Sequence, residues 1–250
     1  MPEVWVSYST DSLSSQAELL AQRLNLPLTA RAYTCEQLPK HGLFLYVTEN
    51  KLTLASHGFC PLFVDFSSTA WQIRRAAGKQ QGLIRAVKPS AGKLILDATA
   101  GWGREAAILA SFGAQVMMFE RNPVMAALLA DGLQRLDSRS PLSSLLSLVP
   151  VDTATYLNQL QPEQYPDIIY IDPMHPVRKK SALVKKDMQM LQQLLGTEAS
   201  SMALILLAQQ SARERVVVKW PQHQLPLLPP NASIAGKTIR FDMYRCFPEK

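Results

Sequence analysis

Leu94-Ile95-Leu96-Asp97-Ala98-Thr99-Ala100-Gly101-Trp102-Gly103-Arg104-Glu105 begins as a short apolar run, stops at an aspartate and opens into a glycine loop. This order predicts a buried strand over Leu94 to Leu96, a tight turn and the start of a helix. Gly101 and Gly103 permit backbone angles, and a closeness to a ligand, that a side chain would forbid. The helix that follows aims its amide-rich end at whatever the loop holds. Gly101, Gly103 and Ala106 also satisfy the G-x-G-x-x-G/A spacing of dinucleotide-binding turns, so the glycines alone fit more than one nucleotide-containing ligand.

Downstream, the same alternation of element types repeats. Glu105 to Phe112 reads as a helix that Gly113 can end, and Gln115 to Phe119 as a second strand running into Glu120-Arg121. Asn122 and Pro123 are a helix cap and first helical residue, with Leu128, Leu129, Leu133 and Leu136 recurring on one face. Leu145 to Val149 is a third strand, ending near Asp152-Thr153, and a helix follows over Ala154 to Leu160. Ile168 to Ile171 is a fourth strand, and Asp172-Pro173-Met174-His175-Pro176 follows it. Strands separated by helices predict an α/β fold with a parallel sheet and ligand groups at the strands' carboxyl ends. Asp97, Glu120, Asp152 and Asp172 each fall at or just beyond such an end. Acids scattered over a surface would rarely keep that phase through four units.

The flanks are less informative. Val4 to Tyr8 alternates like a strand, Ser14 to Leu24 has helical spacing, and Leu43 to Val47 and Leu52 to Ala55 flank a turn as a hairpin would. Residues 1–66 are therefore expected to form a small α/β subdomain, and 67–250 the larger domain. Residues 69–88 are basic, with Arg74, Arg75, Lys79, Arg85 and Lys88, and read equally well as a solvated linker or a phosphate- or cofactor-covering segment. Met202 to Ala208 is uniformly apolar and is read as helix, because Arg215 to Lys219 follows with no turn residue and is itself a good strand. Ala232 to Ala235 and Ile239 to Phe247 are expected to pair antiparallel around Gly236-Lys237.

Composition narrows the class. The chain has 250 residues, 47% hydrophobic and 18% charged, as a folded protein requires. Twenty-six basic against twenty acidic residues give +6, a balance suited to a polyanionic partner such as RNA. Cys35, Cys60 and Cys246 lie far apart without a C-x-x-C pair, which fits a reducing cytoplasm and gives no disulfide framework. His41, His57, His175 and His223 have no metal-ligand spacing, and no G-x-S-x-G elbow occurs, so neither a metal centre nor a serine triad is expected. No export signal or membrane-spanning run is read.

Asp97 with the glycines forms D-x-x-x-G-x-G, which resembles the first motif of S-adenosylmethionine-dependent methyltransferases. The methionine end of that cofactor is zwitterionic, and Gly101, Gly103, Arg104 and Glu105 offer turn amides and charge. Glu120 is placed to accept the two ribose hydroxyls, and Asp152 with Thr153 the adenine amino hydrogens. Asp172-Pro173-Met174-His175 matches two positions of the D/N-P-P-Y/F loop of amino-group methyltransferases. Asp172 would accept the N–H groups of an exocyclic base amine and aim its lone pair at the methyl group. His175 stands where an aromatic stacks on the base, or is a simple loop histidine.

With these residues, the chain resembles the ribosomal RNA small subunit methyltransferase J family, bacterial 16S rRNA guanine-N2 methyltransferases. The resemblance is carried by Phe63 to Phe66, Asp97 to Arg104, Glu120 to Val124, Asp172 to Met174, Ser181 to Lys186 and Arg215 to Lys219. It implies a Rossmann-like seven-stranded class I sheet, S-adenosyl-L-methionine as cofactor, and 16S rRNA or the small ribosomal subunit as partner. By position it implies cofactor contacts at Arg104, Glu105, Glu120, Arg121, Asp152, Thr153 and Asp172. The chain departs from the family at three places: an eroded glycine-rich run before the first motif, His175 for an aromatic, and Asp152-Thr153 for small residues. Two other readings are a methyltransferase-fold RNA-binding or assembly factor without activity, and a dinucleotide-dependent oxidoreductase, which would leave Asp97, Asp152 and the Asp172 loop unexplained.

Overall fold

The computed structural model describes residues 3–67, 76, 78–173 and 201–247. Met174, His175, the basic run Arg178 to Lys186, the helix expected over Asp187 to Leu195, and Arg74 and Arg75 lie outside the described residues.

Contacts divide the chain into two compact units, the first comprising residues 3–65 with 123–135 and the second the remaining described residues. In the first unit β1 (Val4–Tyr8), β2 (Leu43–Val47), β3 (Leu52–Ser56) and β4 (Phe59–Leu62) form a sheet in that order. β1 pairs parallel to β2, and β2–β3 is the antiparallel hairpin that the turn at Thr48 to Lys51 predicts. The helix α1 (Ser14–Leu24) buries Ala17, Leu20 and Ala21 and ends on Asn25, whose φ of 51° is a left-handed cap that asparagine tolerates.

The second unit carries the larger sheet. Its elements are α2 (Gly82–Val87), β5 (Leu94–Asp97), α3 (Arg104–Ala110), β6 (Gln115–Phe119), β7 (Leu146–Val149), α6 (Thr153–Leu157), β8 (Ile168–Ile171), α7 (Ser201–Ser211), β9 (Arg215–Pro221), β10 (Ala232–Ala235) and β11 (Ile239–Arg245). Two further helices, α4 (Pro123–Gln134) and the single turn α5 (Leu142–Leu145), lie between β6 and β7 in the chain. The seven strands run in the order β10-β11-β9-β8-β5-β6-β7. β9, β8, β5, β6 and β7 are mutually parallel, and β11 is antiparallel to both neighbours.

Strand chemistry explains the order. Ile168–Ile171 is buried at all four positions, as a parallel strand covered on both faces requires. The edge strand β10 is exposed at three of four positions and is kept short. The ambiguous apolar run is a helix in which Ile205 and Ala208 are buried while Met202 and Leu206 are half exposed, so helical spacing divides what composition could not. The helix expected over Ala154 to Leu160 is only Thr153–Leu157, and the third strand begins one residue late because Leu145 closes α5. Helix α4 is buried at Val124, Met125, Ala126 and Ala127 as well as at Leu128 and Leu129, a wider face than its leucines suggest.

The reversal point of the sheet is at β5. From it the chain steps outward through β6 and β7 and then returns to the other side as β8. Ligand crevices of open α/β sheets lie outside the carboxyl ends of the strands at such a point.

Candidate active site

Sheet register assembles the site. Ile171 faces Val218, Asp97 faces Tyr170, and Asp97 also faces Met118. Continuing each parallel ladder past its last rung aligns Glu120, Thr99, Asp172 and Lys219 in one row along the carboxyl edge. Hydrogen bonds bear out two links of the row. The Asp172 amide donates to Thr99 Oγ1 at 2.7 Å, and Lys219 Nζ donates to Asp172 Oδ2 at 2.5 Å.

The glycine loop follows β5 as expected. Gly101 and Gly103 have φ of 51° and 69°, left-handed values that disfavour any side chain. Gly103 is the N-cap of α3, and its amide closes the turn onto the Ala100 carbonyl at 2.7 Å. Arg104 is exposed, and Glu105 sits in the first turn with its side chain about one quarter exposed at 23%. The Trp102 indole between the glycines is buried, and its N–H has no acceptor among the described residues.

The four phased acids have different surroundings. Asp97 is fully buried and accepts the Thr99 amide at 3.2 Å. Burial pushes its pKa up to about 8, the Thr99 amide opposes that shift, and the charges of Glu105, Asp172 and Glu120 add to it. Asp97 is therefore mostly protonated at neutral pH. Glu120 is buried and accepts two backbone amides, Gly101 at 3.3 Å and Asn122 at 2.8 Å, one on each oxygen. It fastens the glycine loop to the end of β6.

Asp152 caps α6 by accepting the Thr155 amide at 3.0 Å, and its other oxygen lies 3.9 Å from Arg121. Both of those side chains are nearly half exposed, so the pair contributes little to stability. Thr153 is buried and donates its hydroxyl to the Ala98 carbonyl at 2.8 Å. Its donor therefore joins the loop after β5 to the start of α6.

Asp172 has the most polarised surroundings. Burial raises its pKa to about 6, Lys219 pulls it down, and the Glu105 carboxylate pushes it up. Pro173 is buried beside it. Lys219 Nζ also lies 3.7 Å from Glu105 Oε1, so one ammonium stands between Asp172 and the first turn of α3. The expected site residues Asp97, Gly101, Gly103, Arg104, Glu105, Glu120, Arg121, Asp152, Thr153, Asp172 and Pro173 thus gather along one sheet edge. Thr99 and Lys219 were not among them. The signal for Lys219 was its place at the end of an apolar strand, but its partner emerges only from the register.

These residues suit an adenosyl cofactor with a charged amino-acid end. A carboxylate offers about four acceptor positions, so Glu120 can receive hydroxyl hydrogens in addition to two amides. The buried indole N–H of Trp102 is a further donor in the loop. Among the described residues no cluster of three or more His, Cys, Asp or Glu could hold a metal ion, and no helix is long and apolar enough to cross a membrane.

Comparison with known proteins agrees with this chemistry. A family described as "Putative SAM-dependent methyltransferase" matches residues 28–246. The chain is 56% identical to a protein of Legionella pneumophila named ribosomal RNA small subunit methyltransferase J, over 96% of this chain and 95% of that one. It is 43% identical to a protein of the same name from Coxiella burnetii, over 97% of both. A crystal structure of a SAM-dependent methyltransferase from Neisseria gonorrhoeae superposes with a TM-score of 0.73 at 30% identity, covering 99% of this chain and 97% of that one.

Proposed function

From its membership of the ribosomal RNA small subunit methyltransferase J family of S-adenosylmethionine-dependent enzymes, we propose that this chain methylates the exocyclic N2 of a guanosine in 16S rRNA. The observation that carries the reading is the row Glu120, Thr99, Asp172 and Lys219 at the switch point of the sheet, beside the Gly101–Gly103 loop. S-adenosyl-L-methionine supplies an electrophilic methyl group. Gly101, Gly103, Arg104 and Glu105 would hold its amino-acid end, Glu120 its ribose, and Asp152, Thr153 and Arg121 the adenine side.

Asp172 acts on the substrate. The N2 lone pair is delocalised into the guanine ring, so the amine attacks only when it is held and turned. A carboxylate oxygen of Asp172 accepts an N–H, and Pro173 fixes the backbone that carries it. An amine taking up that methyl group would gain positive charge, which the Asp172 carboxylate would stabilise. The amine proton then leaves through Asp172 to water. His175 would stack on the base and the basic run Arg178 to Lys186 would contact phosphates while the base is turned out of its stack.

Acting on such a substrate, the protein would work in the cytoplasm. Asp172→Ala is expected to lower methyl transfer by about 10²-fold or more while the fold survives. Radiolabel transfer from S-adenosylmethionine to rRNA measures it, and wild-type rates in the variant would remove Asp172 from the mechanism.

A further inference from the structure

Lys219 stands on β9 beside Asp172. Register places it opposite Asp172 on the neighbouring parallel strand, so the two side chains leave the sheet on the same face. Its Nζ reaches Asp172 Oδ2 at 2.5 Å and Glu105 Oε1 at 3.7 Å. The side chains of all three are about one quarter exposed, between 23% and 27%, where a charge contact is screened far less than at an open surface. One cation thus ties the strand bearing the acceptor aspartate to the helix that opens the glycine loop.

We infer that Lys219 is a positioning residue for methyl transfer: it anchors one oxygen of Asp172, so that the other is presented to the incoming amine. The inference rests on the role of Asp172 proposed above. Its physical content is orientation and charge. A lone carboxylate rotates about its terminal torsion, whereas one anchored by an ammonium presents its second oxygen in a set direction. The charged groups facing Asp172 among the described residues are Lys219 from β9 and Glu105 from α3, with the protonated Asp97 of β5 beside them. Glu105 repels the Asp172 charge and Lys219 is the cation that keeps it ionised.

The experiment compares Lys219→Met, Lys219→Arg, Glu105→Gln and Asp172→Asn in the full-length protein, with rRNA and S-adenosylmethionine saturating. Lys219→Met removes the counter-charge, and the acid limb of kcat is expected to move up by about one to three pH units, the usual effect of an opposite charge at this distance. At pH 7 this lowers kcat by about twofold for a one-unit shift and about a hundredfold for three, with recovery toward pH 9. Lys219→Arg restores most of the rate. Glu105→Gln removes a repelling charge, so the limb moves down, the opposite sign. That variant also keeps the inference testable should Lys219→Met fail to fold.

Cofactor affinity, read by calorimetry, is expected to stay within about threefold of wild type in Lys219→Met, and Asp172→Asn/Lys219→Met is expected to be no slower than Asp172→Asn alone. A pH-independent loss, a loss confined to KM, or multiplicative losses in the double variant would overturn the positioning role. A dead Asp172→Asn beside an unimpaired Lys219→Met would overturn this inference alone. A fully active Asp172→Asn would overturn the reading beneath it.

Discussion

Asp172 and Asp97 lie on adjacent strands yet are held in different protonation states. Asp172 has an ammonium at 2.5 Å, whereas Asp97 has a backbone amide and three acidic neighbours. If the ionised form of Asp172 is the active one, kcat/KM is expected to fall about tenfold per pH unit below about pH 6, the pKa to which burial raises it. A pH–rate profile flat to pH 5 would contradict that. For Asp97 the linkage concerns stability. Its folded pKa of about 8 exceeds the ordinary 3.8, so the folded state holds a proton that the unfolded chain releases. That contribution is complete below pH 4 and disappears as pH rises through 8. Asp97→Asn keeps an acceptor for the Thr99 amide but does not titrate, so its melting temperature is expected to fall less than the wild type's between pH 5 and 8. Parallel curves would show that Asp97 does not carry this linkage. The sequence placed both acids at strand ends, but it could not separate their states, because burial and neighbours arise only in the fold.

At the scale of elements, the glycine loop is the most exacting piece. Gly103 caps α3 at a φ of 69°, and Glu120 reaches across from the end of β6 to hold the Gly101 amide. A β-branched residue at Gly103 meets the left-handed penalty of about 1–2 kcal/mol. Gly103→Val is therefore expected to lower stability by about that amount and to weaken S-adenosylmethionine binding at least tenfold by calorimetry. Unchanged affinity would mean that the loop does not hold the cofactor. This element was legible from the chain because its strand, turn and helix signals are local. The terminal hairpin was also legible, since Gly236-Lys237 separates two segments that alternate. Helix α4 was only half legible. Asp131, which accepts the Leu52 amide at 3.0 Å and pairs with Arg135 at 2.8 Å, ties it to β3, a contact between residues 79 positions apart that no local pattern announces. Lys219 belongs to the same class, because a residue's partner across a parallel sheet depends on register and not on spacing.

In the whole molecule, five parallel strands and an antiparallel hairpin make the sheet, so Asp97, Glu120 and Asp172 from three separate strand ends lie near one another where the chain reverses direction. The order in which strands neighbour one another cannot be read from their order in the chain. It is nevertheless what brings the phased acids to one edge of the sheet. The net charge of +6 suits a polyanionic substrate without specifying one. Methyl transfer to guanine N2 is measured with small-subunit RNA and 30S particles from cells lacking the gene. Purified protein and S-adenosylmethionine are added, and the nucleosides are analysed by mass spectrometry. One new N2-methylguanosine is expected in 16S rRNA, formed by wild type and reduced about 10²-fold or more with Asp172→Ala. Bound cofactor with no methylated nucleoside, or a methyl group on another atom, would contradict it.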